Sequence, residues 1–127
     1  IVNALLTIPG FGFITTVTML SEIMVINRFG KFDELAAYVG LVPAVQSSGE
    51  RERNLGIMKI HNRRLRKILI EAAWMAVRQD PALTNCYNEY IKRMSRQRAI
   101  IKIAKKLLNR MRGIWKKRGE YVIGVIS

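Results

Sequence analysis

Apolar residues recur at helical spacing along much of the chain. Leu65, Ile68, Leu69, Ala72, Ala73 and Ala76 follow the i, i+3, i+4, i+7 rule. They predict a helix whose early part carries Arg63, Arg64, Arg66 and Lys67 on its other faces. "QDPA" ends it, because the residue before Pro81 disfavours the helical region. A further helix is predicted from about Ala82 to Met94, with Leu83, Cys86, Tyr87, Tyr90 and Ile91 on one side. Ser95 fits the cap of a last long helix, about Gln97 to Lys117. In that helix Ile100, Ile101, Ala104, Leu107, Leu108, Met111, Ile114 and Trp115 form an apolar stripe, and Lys102, Lys105, Lys106, Arg110 and Arg112 lie away from it.

The N-terminal part reads the same way in shorter pieces. Residues near 1–7 resemble the end of an apolar helix. "IPGFG", Ile8 to Gly12, predicts a tight turn, with Pro9 stopping the first helix and glycines permitting unusual backbone angles. Helices follow at about Phe13 to Met24 and Phe32 to Val39, with Gly40 where a C-terminal cap glycine falls. The stretch from about Leu41 to Ile57 neither repeats like a helix nor alternates like a strand, and predicts a loop. The tail "YVIGVIS" is short and apolar, a strand or packed coil. No linker, internal repeat or low-complexity segment interrupts the chain, so the expectation is one compact all-α domain over residues 1–127.

Charge changes the picture more than composition does. The 127 residues include 22 Lys+Arg against 9 Asp+Glu, a formal net charge of +13. Such an excess calls for a polyanionic partner: DNA, RNA or an anionic membrane. Ile1 to Ser21 carries no charged side chain and approaches the length of a membrane span. Yet Pro9, Gly10 and Gly12 interrupt it and no charged segment precedes it, so short buried helices around a turn fit better than a span or a targeting signal. One cysteine, Cys86, and one histidine, His61, exclude an intrachain disulfide and a Cys/His-rich metal centre. The start at Ile1 rather than Met is expected of a piece of a longer protein.

Two stretches are candidates for chemistry. In "IPGFGFITTVTMLSEI" a hydrophobic-Gly-hydrophobic-Gly turn between short helices has the form of a helix-hairpin-helix. Gly10 and Gly12 would let backbone approach a phosphate, and N–H groups opening the second helix would donate to it. A plain structural hairpin with glycines for close packing accounts for the same residues. In "GLVPAVQSSGERERNLG", Ser47 and Ser48 precede Arg51, Arg53, Lys59, Arg63 and Arg64, the last two expected in the first turn of the next helix. A serine nucleophile needs positioning, and phosphoryl transfer needs cations around the transition state. An ordinary polar loop has the same composition, and Glu50 and Glu52 supply no evident general base. Trp74 and Trp115, on or near apolar stripes, read as core rather than as stacking platforms for bases, and Cys86 as a small core residue. The basic face of the last helix reads equally as a track for nucleic acid or as a solubilising face.

The ordered series "IPGFG…T…L…EI", "F…ELAAYVGLVP", "SSG" and "RNLGIMKIHNRRLRKILIEAAW" resembles the C-terminal transposase domain of the DEDD-type bacterial insertion-sequence transposases, the insertion sequence one-ten family. The resemblance runs from about Ile8 to Tyr121. It implies a RuvC-like nuclease half upstream, carrying acidic ligands for a divalent metal such as Mg, and no cofactor in this chain. It also implies a serine in the Ser-Gly motif that forms a phosphoserine link to DNA, and a structured guide RNA that selects sites. Ser48, directly before Gly49, matches that nucleophile, with Ser47 its alternative. Arg51, Arg53 and Lys59 match the basic segment that follows, and Asn62, Leu65 and Arg66 match the pattern opening the next helix. His61 departs from the family's glycine and is either a phosphate contact or a surface substitution.

Taken together, the residues and the resemblance lead to the expectation of a cytoplasmic, nucleoid-associated recombinase acting as a homo-oligomer, with catalysis at Ser48 and nucleic-acid contacts at Gly10, Gly12, Arg51, Arg53, Lys59, Asn62, Arg63 and Arg64. This chain alone is expected to bind nucleic acid without recombining it. A non-catalytic helix-hairpin-helix module and a basic structural RNA-binding protein remain as rivals.

Overall fold

The computed structural model describes the backbone of residues 1–42 and 49–126, and the side chains of 1–42 and 63–117. Within these the chain is all-helical, and no strand occurs among the described residues. Six helices follow in order: α1 (Val2–Leu5), α2 (Phe13–Ile23), α3 (Phe32–Tyr38), α4 (Gly49–Gln79), α5 (Pro81–Tyr90) and α6 (Arg96–Ile126). A single 3₁₀ turn at Ile26–Arg28 joins α2 to α3.

Two 31-residue helices, α4 and α6, form the spine. Their apolar stripes meet in one cluster: Leu65, Leu69, Ala72, Ala73 and Ala76 from α4, and Ile100, Ile103, Ala104, Leu107, Leu108 and Met111 from α6. The short N-terminal helices add Leu5, Met19, Ile23 and Leu35, all fully excluded from solvent. Each such side chain contributes roughly 1.5–3 kcal/mol of burial free energy. Trp115 packs against this core as expected. Trp74 does not belong to it: it is 38% exposed and meets Tyr87 edge-on at 5.5 Å.

Caps set several boundaries. Tyr38 ends α3, Gly40 takes φ +82°, and the amides of Gly40 and Leu41 donate to the carbonyls of Ala37 (3.1 Å) and Ala36 (2.9 Å). This crossed pair is the Schellman termination that a glycine one residue past the cap permits. Asp80 opens α5 by accepting from the Ala82 amide at 2.9 Å, with Pro81 in the first helical position. Ser95 Oγ accepts from the Arg98 amide at 3.2 Å and caps α6. α5 stops at Tyr90 rather than near Met94.

Two expectations are overturned. The region from Gly49 to Ile57 is helix rather than loop, because α4 already runs from Gly49. Glu, Arg and Leu there are good helix formers, and their summed propensity outweighs the roughly 1 kcal/mol cost of Gly56. The "YVIGVI" tail continues α6 to Ile126 rather than forming a strand or coil. A lone strand would leave its backbone groups unpaired, whereas each residue added to an existing helix gains a hydrogen bond.

Candidate nucleic-acid interface

Helix α4 gathers most of the predicted contact residues on one continuous element. Arg51, Arg53, Lys59, Asn62, Arg63 and Arg64 all fall within it. The side chains of the first four lie outside the described residues, as do Ser47 and Ser48 in their entirety. Position along the axis nevertheless separates them. At about 1.5 Å per residue, Arg51 and Arg53 are in the first two turns, Lys59 is about 15 Å from Gly49, and Arg63 about 21 Å. Arg63 and Arg64 are thus mid-helix, not in a first turn, and the continuity of the helix carries them well away from Gly49.

The described cations of α4 face solvent. Arg63, Arg64, Arg66 and Lys67 are exposed. Arg64 meets Glu22 of α2 at 3.6 Å, a surface pair of little energetic weight. No ion pair engages Arg63, Arg66 or Lys67 among the described residues. With a formal charge of +13 on the chain, this leaves a net positive surface able to attract phosphate.

The "IPGFG" turn stands apart from the start of α4. Gly10 has φ +83°, and a Cβ built on it would overlap the Ala72 carbonyl oxygen and come 3.1 Å from the Ala76 amide nitrogen. Its own amide donates to Gln79 Oε1 at 3.0 Å. Glycine here permits close approach to the α4 backbone, and its N–H is engaged within the protein. Gly12 is open: nothing lies within 4 Å of its notional Cβ, and it stands as the N-cap residue of α2. The groove beside the turn, about 430 Å³, is lined by residues including Leu6, Pro9, Gly12, Met75 and Gln79, with no basic side chain. The first arm of the hairpin is only the four-residue α1. Ala72 is about 35 Å along α4 from Gly49, so the glycine turn and the start of α4 mark two places, not one.

Sequence reasoning missed a cation cluster at the α5–α6 corner. Arg93, Met94, Arg98, Ile101, Lys102 and Lys105 line a groove of about 360 Å³. The Arg93 guanidinium lies 6.0 Å from the Tyr90 ring centroid and Lys102 Nζ 5.7 Å from it. The i, i+4, i+7 spacing of Arg98, Lys102 and Lys105 was the available signal, obscured by the basic residues on either side. Elsewhere, the Arg28 guanidinium lies 4.8 Å from the ring centroids of both Phe29 and Tyr38, and Arg112 donates to the Gly30 carbonyl at 3.2 Å.

Among the described residues, no group of three or more His, Cys, Asp or Glu side chains could hold a metal ion, and no helix is long and apolar enough to cross a membrane.

Comparison with known proteins gives this basic helical surface its context. The chain is 32% identical over 104 residues to the transposase for insertion sequence element IS1111A of Coxiella burnetii, covering 82% of this chain and 29% of that protein. Two proteins of Sinorhizobium fredii named as transposases are also similar. One, y4qE, is 39% identical over 74 residues, covering 58% of this chain and 19% of its own length; the other, y4rJ, is 34% identical over 88 residues, covering 65% and 22%. The chain thus spans between about a fifth and three tenths of the curated relatives it matches. No solved structure matches at a significant level. The family model described as "Transposase IS116/IS110/IS902 family" matches residues 2–88, most of the chain from α1 through α5. The chain belongs to the IS116/IS110/IS902 family of transposases.

Proposed function

We propose that the chain is the DNA-binding, strand-transfer half of an insertion-sequence transposase, with Ser48 as nucleophile. One observation carries this reading beyond family membership: α4 begins at Gly49, the residue after Ser48. The opening turn of a helix offers backbone N–H groups with no intrahelical partner and the positive end of the helix dipole. A phosphate bonded to the preceding serine would meet those donors.

In the proposed reaction Ser48 Oγ attacks a backbone phosphorus. The P–O3′ bond breaks, the 3′ oxygen leaves with a proton, and a 5′-phosphoserine forms. The serine proton passes to a base outside this chain. A 3′-hydroxyl of the new partner strand then attacks the phosphorus, releasing Ser48 and completing the exchange. Arg51 and Arg53, in the first two turns of α4, stabilise the charge on the phosphoryl oxygens. Lys59, Asn62, Arg63 and Arg64 hold the strand farther along the helix, and the open N-cap at Gly12 takes a separate phosphate. A RuvC-like half elsewhere in the protein would hold the divalent metal on its acidic residues. A structured RNA guides site choice, the protein acts as a homo-oligomer in the bacterial cytoplasm, and this chain alone binds DNA without exchanging strands.

The test is a covalent trap. An intact transposase carrying this chain is incubated with a nicked duplex, denatured, and examined for a protein–DNA adduct. An adduct lost in Ser48→Ala and kept in Ser47→Ala is the expected result. Loss only in Ser47→Ala moves the nucleophile by one residue. Salt-sensitive binding with no adduct in the unaltered protein supports the non-catalytic module instead.

A further inference from the structure

We propose that the groove at the α5–α6 corner is a second binding surface for the DNA backbone, built by Arg93, Arg98, Lys102 and Lys105. The proposal rests on the reading of the chain as a DNA-binding transposase half. Three features distinguish this groove from a merely solvated basic face.

First, four cations line one concavity with Met94 and Ile101 between them, and no carboxylate lines it. The nearby Glu89 is occupied: Lys92 Nζ holds it at 2.9 Å. Like charges drawn together without a counter-charge repel one another, and an anion in the groove removes that cost. Second, the cluster is anchored. Tyr90, half-buried against the core, has Arg93 and Lys102 near its ring, and Arg98 and Lys102 sit on the capped opening turns of α6. Cations placed in advance lose less side-chain freedom on binding than cations on a mobile tail. Third, the spacing suits a polyphosphate. Arg98 to Lys105 spans about 10 Å of helix axis. A DNA strand advances about 3.4 Å per nucleotide, so this distance takes in several consecutive phosphates. A single small anion would leave most of the cluster unpaired.

The predicted contacts are phosphate contacts without base readout, so they add affinity and salt dependence rather than sequence preference.

The test compares two triple variants of the 127-residue chain with the same change in net charge. Arg98→Gln/Lys102→Gln/Lys105→Gln empties the groove. Lys106→Gln/Arg110→Gln/Lys117→Gln neutralises exposed α6 cations outside it. All six positions lie outside the core, and thermal melts verify folding. Affinity for a labelled 30-base-pair duplex is measured across a salt series, with a folded RNA hairpin in parallel. The groove variant is expected to lower the slope of log K against log[salt] by about 2–3, near 0.9 per lost phosphate contact, with the control variant changing it by less than about 1. Equal changes from both variants, or none from the groove variant, overturn the proposal. A groove variant that loses RNA but keeps duplex binding overturns the assignment to DNA. Failure of the underlying reading has a separate signature, in which the unaltered chain shows no salt-dependent duplex binding.

Discussion

Gly10 lies against the backbone of Ala72, so close that a side chain at Gly10 would occupy the space of the Ala72 carbonyl oxygen. With φ at +83° the position is also strained for any residue with a Cβ. Gly10→Ala is expected to destabilise the chain by roughly 3 kcal/mol or more, as overpacking and backbone strain combine. Gly12→Ala, with open space around it, should cost only about 0.5–1 kcal/mol as a poorer N-cap. Urea midpoints of the two variants check the difference. Equal losses would show that the glycine turn is not packed as described.

Thr16 is fully buried in α2, and its hydroxyl has no hydrogen-bond partner among the described residues. A buried unsatisfied hydroxyl costs about 1–3 kcal/mol, and valine has nearly the same shape. Thr16→Val should therefore raise stability by about 1 kcal/mol, seen as a melting temperature higher by a few degrees. A lower melting temperature would mean that the hydroxyl finds a partner in solution.

Asp80 and Ser95 each accept a backbone N–H at the start of a helix. Asp80→Ala and Ser95→Ala should each cost about 1 kcal/mol in denaturant unfolding. The two caps serve different helices, so the double variant should lose close to the sum. A cost near zero at either site would mean that the cap does not hold the start of its helix.

Distance along α4 divides the roles of its arginines. Arg51→Gln, near the helix start, should slow formation of the covalent adduct at saturating DNA. Arg63→Gln with Arg64→Gln, about 21 Å from Gly49, should weaken binding and lower the salt slope by about 1–2 while leaving the saturated rate nearly unchanged. Single-turnover kinetics over a range of DNA concentrations separate the effects. A large fall in the saturated rate for the Arg63/Arg64 variant would place those residues at the reacting phosphate.

Much of this architecture was legible in the sequence because it rests on local signals. Gly40 after an apolar turn, Pro81 after Asp80, and Ser95 before a basic amphipathic run each mark a boundary through side-chain chemistry. The stripes of α4 and α6 were readable over Leu65–Ala76 and Ile100–Trp115 for the same reason. The start of α4 was not, because alternating Glu and Arg leaves no apolar period to detect. Trp74 was misread because spacing reports a helix face, not whether a neighbour covers it. Of the candidate site, the basic residues of α4 could be named from sequence, but their distances from Gly49 depended on knowing that one helix holds them all. The groove at the α5–α6 corner depended on the turn that brings Arg93 beside Arg98 and Lys102, a relation with no period in the chain.

The unbroken length of α4 has a consequence for how much DNA the molecule could cover. The start of the helix and the Gly10 turn packed at Ala72 stand about 35 Å apart on one rod. One turn of B-form duplex, 10–10.5 base pairs, advances about 34–36 Å. A duplex touched at both places would present the same groove to each, so contacts would recur in helical phase. Removing one turn from α4 would shift that phase by about 5.4 Å, roughly one and a half base pairs, without altering any residue at either contact.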